Sequence, residues 1–160
     1  MVEPAEGYEV KILLADAEDA EVLLAVQKLA FLQEAARYDA YSMPPLTETV
    51  DDVREAFEKS TFLKAVAGKR VVGVVRATPE GGTCVIGRLA VHPDFQDEGI
   101  GTALLREAEA RCGDASRLEL FVGSRSDKNI HIYQKQGYRT FKAQDIRDDV
   151  QLLYMEKLRK

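Results

Sequence analysis

A six-residue loop with two glycines, Gln96-Asp97-Glu98-Gly99-Ile100-Gly101, lies between a run of strand character and a helical segment. The first amides of a helix lack intrahelical partners and lie at the positive end of its dipole, so this position suits an anion. The two glycines let the backbone approach a phosphate without an intervening Cβ. Gln96 offers a side-chain donor, and the two carboxylates fit if they point to solvent while their amides face the ligand. The loop therefore predicts a phosphate-binding site.

Three other interpretations of this loop depend on its spacing. A bare Gly-x-Gly before a helix is often only a tight turn. A Rossmann-type dinucleotide site needs a third glycine, and Leu104 stands where that glycine would fall. A Walker loop needs Gly-Lys followed by Ser or Thr, which this segment lacks. Neither nucleotide motif fits, so the loop is either a structural turn or a phosphate site of another kind.

The hydrophobic pattern around the loop predicts a mixed α/β (α+β) fold. Short connections with glycine separate the second, third and fourth strands, which favours an antiparallel meander. We therefore expect a mixed, mostly antiparallel central sheet of about seven strands flanked by about four helices. The predicted strands are 8–14, 62–67, 70–78, 83–91, 117–122, 138–141 and 150–155. The predicted helices are 19–38, one from Thr47 or Thr49 to about 59, 102–112 and 128–136.

Length and charge limit the class of protein. The 160 residues fit a single domain, 1–160, with a flexible N-terminus at 1–7. The formal net charge of −5 and the lack of a basic stripe argue against a nucleic-acid partner, and the basic segment 157–160 is expected to be a frayed end. No apolar run reaches the roughly 20 residues that cross a bilayer, and the acidic first residues do not resemble a signal peptide. We expect a cytoplasmic protein without a membrane partner.

The two cysteines, Cys84 and Cys112, are predicted to be free structural thiols of a reducing compartment. Their separation does not match a zinc motif or a disulfide-rich scaffold, and no metal site is expected. Neither cysteine has a histidine close to it in sequence. The sequence therefore does not indicate an activated thiol nucleophile.

Two motifs resemble those of a known family. The run Leu89-Ala90-Val91-His92-Pro93 followed by Gln96-x-x-Gly99-x-Gly101 resembles the acetyl-CoA signature of the GNAT N-acetyltransferase superfamily, Gln/Arg-x-x-Gly-x-Gly/Ala. The segment Ile132-Tyr133-Gln134-Lys135-Gln136-Gly137-Tyr138 resembles that family's Leu-Tyr-Glu-Lys-x-Gly-Phe. The two motifs stand about 30 residues apart in the expected order, and the element order also matches from about Tyr8 onward.

The resemblance implies that acetyl-CoA, or coenzyme A, is the co-substrate. The backbone of residues 89–91 would pair with the pantetheine arm like an added strand, and the amides of the loop would hold the pyrophosphate. Asn129 lies four residues before Tyr133, whereas the family's common asparagine lies seven before it, where this chain has Ser126. The implied cofactor-binding residues are Leu89, Ala90, Val91, Gln96, Asp97, Glu98, Gly99, Ile100, Gly101, Thr102, Ala103, Asn129 and Tyr133.

The same resemblance makes Tyr133 the catalytic residue that protonates the departing thiolate. The alternative is that Tyr133 is an aromatic side chain packed beneath its helix. A general base is harder to assign, because the strand before the loop contains no carboxylate. Glu119 on the next strand, a chain of water molecules, or a substrate that arrives already neutral all remain open.

The implied reaction is acetyl transfer from acetyl-CoA to an amine of a small-molecule or peptide acceptor by direct attack. A CoA-binding sensor without turnover and transfer to a non-amine acceptor remain alternatives, and a homodimer is left open. Acidic and aromatic residues on the first two helices and at their junction suit a cationic amine, although a solvated helix face explains the charges equally well. Arg88 instead suits an acceptor carboxylate. The acidic and aromatic residues are Glu34, Tyr38, Asp39, Tyr41, Glu48, Asp51, Asp52 and Glu55.

Overall fold

The computed structural model describes residues 9–38, 43–147 and 149–159, without the side chains of Arg37 and Tyr38. Three earlier expectations fall outside this part of the chain. They are the flexible N-terminus 1–7, the side chain of Tyr38, and the acceptor candidates Asp39 and Tyr41.

The described residues form one seven-stranded sheet with the strand order β1-β2-β3-β4-β5-β7-β6. Every neighbouring pair is antiparallel except β4 and β5, which are parallel. This confirms the mixed, mostly antiparallel sheet that the sequence predicts. The strands are β1 (Val10–Leu14), β2 (Thr61–Ala67), β3 (Arg70–Glu80), β4 (Thr83–Val91), β5 (Arg117–Gly123), β6 (Arg139–Arg147) and β7 (Val150–Leu158).

Five α-helices accompany this sheet in the described ranges, one more than the four predicted. The extra helix has four residues and begins at Pro44, because proline is tolerated at the first position of a helix even though it breaks a preceding one. None of the described helices is long and apolar enough to cross a bilayer. The helices are α1 (Ala20–Tyr38), α2 (Pro44–Thr47), α3 (Val50–Ala56), α4 (Ile100–Ala110) and α5 (Asp127–Lys135).

Two capping boxes start the helical segments on one side of the sheet. The Asp16 carboxylate accepts the Glu18 amide at 2.9 Å, and the Asp19 carboxylate accepts the Asp16 amide at 3.0 Å. This box begins a short 3-10 turn that leads into α1. Thr49 and Asp52 form the equivalent pair at α3. Both caps are local in sequence, which is why the two helix starts could be predicted.

The helices pack on both faces of the sheet. On one face, α4 buries Leu104 and Leu105 in a large apolar cluster, which Ile86 of β4 also joins. On the other face, α1 and α3 pack with Phe62 and Ala90 in a second cluster. Because both faces are covered, the interior strand β3 has a nearly continuous buried run.

The strand β4 departs from regular pairing in its second half. Between Gly87 and Ala90 it advances three residues while β3 advances two, so it contains a β-bulge. Arg88 lies in this bulge with a φ of 54°, which is uncommon for a residue other than glycine. On its other edge, the pairing of β4 with β5 covers residues 83–85. The later residues of β4 therefore have an edge that no described strand covers.

The prediction of free thiols is wrong, because Cys84 and Cys112 form a disulfide. Cys84 lies on β4, and Cys112 follows the end of α4. Packing of α4 on the sheet brings the two Cα atoms to 5.8 Å, within the usual range for a disulfide. The two cysteines are 28 residues apart, and no local sequence feature marks this contact.

The expectation of a frayed C-terminal segment is also wrong up to Arg159. The strand β7 extends to Leu158, so it includes part of the basic segment. The Arg159 guanidinium donates to the carbonyl oxygens of Glu109, Gly113 and Ala115 at 2.9–3.0 Å. The Glu109 carbonyl lies in the last turn of α4 and also accepts the Cys112 amide at 3.1 Å, and the other two carbonyls lie beyond the end of the helix. A cation there satisfies them and holds the segment in place.

Candidate functional site

A cleft of about 390 Å³ lies between α1, the end of β4, the glycine loop and the first turns of α4 and α5. It contains most of the residues that the motifs singled out, together with several that they did not. The lining residues are Ala30, Phe31, Gln33, Glu34, Leu89, Ala90, Val91, Phe95, Gln96, Asp97, Gly99, Gly101, Thr102, Lys128, Asn129, His131 and Ile132.

The uncovered edge of β4 forms one wall of this cleft. Residues 89–91 all line it, and they follow directly after the bulge. An exposed strand edge can accept an extended ligand through main-chain hydrogen bonds. One of these groups is already used, since the Val91 carbonyl accepts the Gln96 side chain at 3.0 Å.

Gln96 holds the loop in place and does not present the free donor that the sequence suggests. Its side-chain nitrogen donates to the Val91 carbonyl and to the Gln33 side-chain oxygen, each at 3.0 Å. The amide group thus joins the loop to both β4 and α1. The two contacts use both hydrogens of the Gln96 amide group.

The backbone conformation of the loop requires its first glycine. Gly99 is the N-cap of α4 with a φ of 84°, and no side chain caps this end. The Ala103 amide donates to the Gly99 carbonyl at 3.1 Å, which makes it the first hydrogen bond of the helix. The amides of residues 99–102 therefore have no intrahelical acceptor. Three of these four residues line the cleft.

The charges around the loop differ in part from expectation. Asp97 is exposed as predicted, and its carboxylate contacts the Lys128 ammonium at 3.1 Å. Glu98 is different, because one of its carboxylate oxygens is buried. Lys128 adds a positive charge at the rim of the cleft. The sequence motifs did not indicate this lysine, because it lies 31 residues from Asp97.

Tyr133 lies beneath α5 and is almost fully buried, with 6% of its surface exposed. It belongs to the main apolar cluster and contacts Tyr138 edge to face. Burial raises the pKa of its phenol above the ordinary value, and the negative charge of Glu34 raises it further. The phenol therefore stays protonated at neutral pH. Its neighbours Asn129 and Ile132 line the cleft, while Tyr133 lies behind them.

A hydrogen bond connects the two helices on opposite sides of the cleft. The buried Ser126 hydroxyl donates to the Glu34 carboxylate at 2.5 Å. Ser126 is the N-cap residue of α5, and Glu34 lies on α1 and lines the cleft. The pair is separated by 92 residues, so no sequence pattern indicates it. Ser126 also occupies the position at which the family resemblance expects an asparagine.

Some predicted residues lie outside the cleft lining. Ile100 buries its side chain in the apolar cluster, so only its backbone faces the loop. Ala103 lies in a neighbouring depression with Gly99 and Thr102. Glu119 is paired with Arg117 at 2.7 Å and lies where β4 and β5 are still joined.

The acidic residues of the first helices mostly have other partners. Asp52 caps α3, and Asp51 forms an exposed pair with Arg54. Burial alone would raise the pKa of Glu48, but hydrogen bonds from Arg76 and Gln27 lower it below the ordinary value. Glu48 is therefore a charged group already matched by a cation. This weakens the sequence-based argument for a cationic acceptor.

Neither a metal centre nor a free thiol is found in the described part of the chain. No group of three histidine, cysteine, aspartate or glutamate side chains there is placed to hold a metal ion. Both sulfur atoms are used in the disulfide. A cysteine nucleophile is thus unavailable in this state of the protein.

Comparison with known proteins finds a matching family model and a curated relative. Residues 26–138 match the model of a family described as acetyltransferase (GNAT) family. UPF0157 protein YqkA of Bacillus subtilis (strain 168) is 28% identical over 124 residues, which are 78% of this chain and 36% of that protein. The chain thus spans about a third of that relative's length.

Two solved structures share the fold over nearly the whole chain. The PaiA N-acetyltransferase of Thermoplasma acidophilum, in complex with coenzyme A, has a TM-score of 0.76 at 20% identity and covers 94% of this chain and 99% of that one. An acetyltransferase of the GNAT family from Streptococcus pneumoniae has a TM-score of 0.75 at 21% identity. The match covers 95% of this chain and 100% of that one.

Proposed function

Because the chain belongs to the GNAT acetyltransferase family, we propose that it transfers the acetyl group of acetyl-CoA to an amine by direct attack. Membership of the family supports acyl transfer as the class of reaction. The observation that carries the finer proposal is the cleft itself, in which an uncovered strand edge leads to four helix amides without intrahelical partners. The coenzyme A bound in the similar Thermoplasma acidophilum protein supports the choice of co-substrate.

The proposed co-substrate would lie along β4. The amides of residues 99–102 would bind its pyrophosphate, and Lys128 would add a positive charge at the rim. The pantetheine arm would extend along residues 91 to 89, with Asn129 on the facing helix. Bound acetyl-CoA supplies an activated acyl group, and the protein supplies orientation and polarisation.

Release of free CoA thiol tests the proposed reaction as a whole. We expect acetyl-CoA alone to be stable with the protein, and a subset of amines to cause thiol release at a rate proportional to protein concentration. Mass spectrometry should find one acetyl group on the amine and none on the protein, because transfer is direct. If coenzyme A binds but no amine in a broad panel releases thiol, the sensor alternative becomes the better one.

The loop assignment predicts that Gly101→Glu abolishes coenzyme A binding. A Cβ at Gly101 would lie 3.8 Å from both Ile132 and Val91, which line the cleft, so a glutamate there adds bulk within the cleft. It also brings a negative charge to the proposed pyrophosphate position. Isothermal calorimetry should show at least about a 100-fold loss of affinity, since both charge repulsion and lost backbone contacts contribute.

Gly82→Glu is the matched control, because Gly82 is exposed. The nearest described atom to a Cβ added there is the Ser116 side-chain oxygen at 3.9 Å. This variant carries the same change in charge and should bind coenzyme A normally. Wild-type affinity in Gly101→Glu would show that the loop does not hold the pyrophosphate.

The proposed chemistry needs two proton transfers. The amine nitrogen forms a bond to the thioester carbonyl carbon while the carbon–sulfur bond breaks. In this proposal Tyr133, which lies behind the residues that line the cleft, gives its phenolic proton to the departing sulfur. Burial raises the pKa of the phenol, which keeps it protonated at neutral pH but also makes it a weaker acid. We propose Glu34 as the group that accepts the proton of the amine, because its carboxylate lines the cleft whereas Glu119 is paired elsewhere.

Tyr133→Phe separates proton donation from packing. The substitution keeps the buried ring and removes only the hydroxyl, so kcat should fall by about 10²- to 10⁴-fold. Coenzyme A affinity should change by less than about tenfold, since one hydrogen bond contributes around 1 kcal/mol. Tyr138→Phe is the control: it removes the hydroxyl that binds Glu109 at 2.8 Å and should lower stability while leaving kcat unchanged. Full turnover in Tyr133→Phe would remove this tyrosine from the mechanism.

Glu34→Gln tests the proposed base. The glutamine can still accept the Ser126 hydroxyl through its side-chain oxygen, but it cannot take up a proton. We expect kcat/KM for the amine to fall by about 10²- to 10⁴-fold and coenzyme A affinity to stay within about tenfold of wild type. Glu119→Gln serves as the control and should keep kcat/KM near the wild-type value. The reverse pattern would assign the role to Glu119, and full activity of both variants would indicate an amine that arrives neutral.

A further inference from the structure

Two arginines share a single carboxylate beside the cleft. Glu48 accepts hydrogen bonds from the Arg76 guanidinium at 3.0 and 3.1 Å and from Gln27 at 2.9 Å. The Arg88 Nε atom lies 3.5 Å from the same Glu48 oxygen. All three ionic side chains are largely buried, with 10%, 11% and 23% of the Glu48, Arg76 and Arg88 side chains exposed. Two guanidinium groups against one carboxylate leave an excess positive charge there.

Arg88 is the less well paired of the two arginines. Its Nε atom is buried and has no hydrogen-bond partner among the described residues, since the contact with Glu48 lacks hydrogen-bond geometry. Burial lowers the pKa of Arg88, and the nearby Arg76 also lowers it, although Glu48 acts in the opposite direction. A buried cation in this state gains stability when an anion binds to it.

The arginine pair adjoins the residues of β4 that line the cleft, on the side away from the glycine loop. Along β4, Val91 is nearest to the loop, Leu89 follows, and Arg88 is next beyond Leu89. Along α1, Gln27 precedes Phe31 and Glu34 by four and seven residues, which places all three on one helix face. Seven residues of helix correspond to about 10 Å, so the polar cluster continues the cleft wall beyond Glu34.

No described residue fills the space beside Gly87, the residue that precedes Arg88. Gly87 precedes Arg88 and pairs with Arg76 across the sheet. A Cβ built on Gly87 would meet no atom of the described residues within 4 Å. As far as the described residues extend, a ligand group has room next to β4 at this point, one residue from Arg88, whose Nε atom has no hydrogen-bond partner among them.

We propose that Arg88, supported by Arg76, binds an anionic oxygen group of the acceptor, so that the acceptor is an amine that also carries a carboxylate or a phosphate. This inference rests on the proposed function, because the pyrophosphate at residues 99–102 directs the acetyl group and the acceptor toward Arg88. It also chooses between the two acceptor classes that the sequence left open, in favour of an acceptor with an anionic group over a purely cationic amine. Arg88 supplies a planar pair of donors suited to an oxyanion, and Glu48 is already matched by Arg76.

The wild-type protein can be tested with matched pairs of amines in the thiol-release assay. The pairs are the common L-amino acids against their carboxamides, and phosphoethanolamine against ethanolamine, with spermidine as a purely cationic amine. In at least one pair, we expect the member with the anionic group to have a kcat/KM about 10- to 100-fold higher than the member without it. The reason is that a hydrogen bond to a charged group contributes more than a hydrogen bond to a neutral group. The pair that shows the preference identifies the source of the anion.

Arg88→Gln should remove this preference, mainly by raising KM for the anionic amine by about 10- to 100-fold. Arg88→Lys keeps the positive charge and should retain part of the preference for the anionic amine. Arg54→Gln is the control for charge, since Arg54 lies in an exposed pair on α3. Gly87→Val fills the space beside Arg88 without removing a charge and should also raise KM for the acceptor. Coenzyme A affinity should stay unchanged in all four variants.

Calorimetry on the protein saturated with coenzyme A separates the two proposals. If no amine releases thiol, acetyl transfer fails, but tighter binding of the anionic member of a pair would still support the anion site. Equal affinity for both members, or a preference for spermidine, would overturn the inference whatever the turnover. An anionic preference that survives unchanged in both Arg88→Gln and Gly87→Val would also overturn it.

Discussion

The cleft depends on the incomplete pairing of β4. Buried backbone amides and carbonyls need hydrogen-bond partners, and a strand inside a sheet normally finds them on both sides. In β4 the partnership with β5 covers only its first residues, and the bulge at Arg88 interrupts the partnership with β3. The loop supplies one replacement partner through Gln96, and the remaining edge is open to a ligand. A regular pairing along the whole of β4 would close this space.

Three charged regions lie in order along the resulting cleft. The helix amides and Lys128 lie at one end, Glu34 lines the cleft on α1, and Arg88 with Arg76 lies beyond the lining residues, next to Leu89 along β4. Lys128 is exposed, whereas Glu34 and the arginines are partly buried, where electrostatic interactions are stronger than in water. Each region can thus select a different part of a ligand. The proposed acetyl transfer uses this order directly: phosphate at the first region, the reacting amine near the second, and an anionic group at the third.

The parts of the site that could be predicted from sequence are those whose cause is local. The glycine at position 99 is needed because the backbone there has a positive φ, and a short motif records that need. The capping boxes and the hydrophobic periodicity are equally local, so the order of elements was also predictable. The parts that could not be predicted join distant segments. Ser126 and Glu34 are 92 residues apart, and Arg76 and Glu48 are 28 residues apart, so each pair depends on how the helices pack.

The sequence alone determined the family resemblance, the element order and the position of the glycine loop, because these follow from short patterns of residues along the chain. The tertiary structure decided which side chains share the cleft. It buried Tyr133 behind its helix, joined Cys84 to Cys112, fixed Gln96 to β4, and set two arginines against one glutamate beside the cleft. The physical reason is that burial, pairing and charge balance depend on neighbours in space, and the packing of α1, α4 and α5 on the sheet chooses those neighbours.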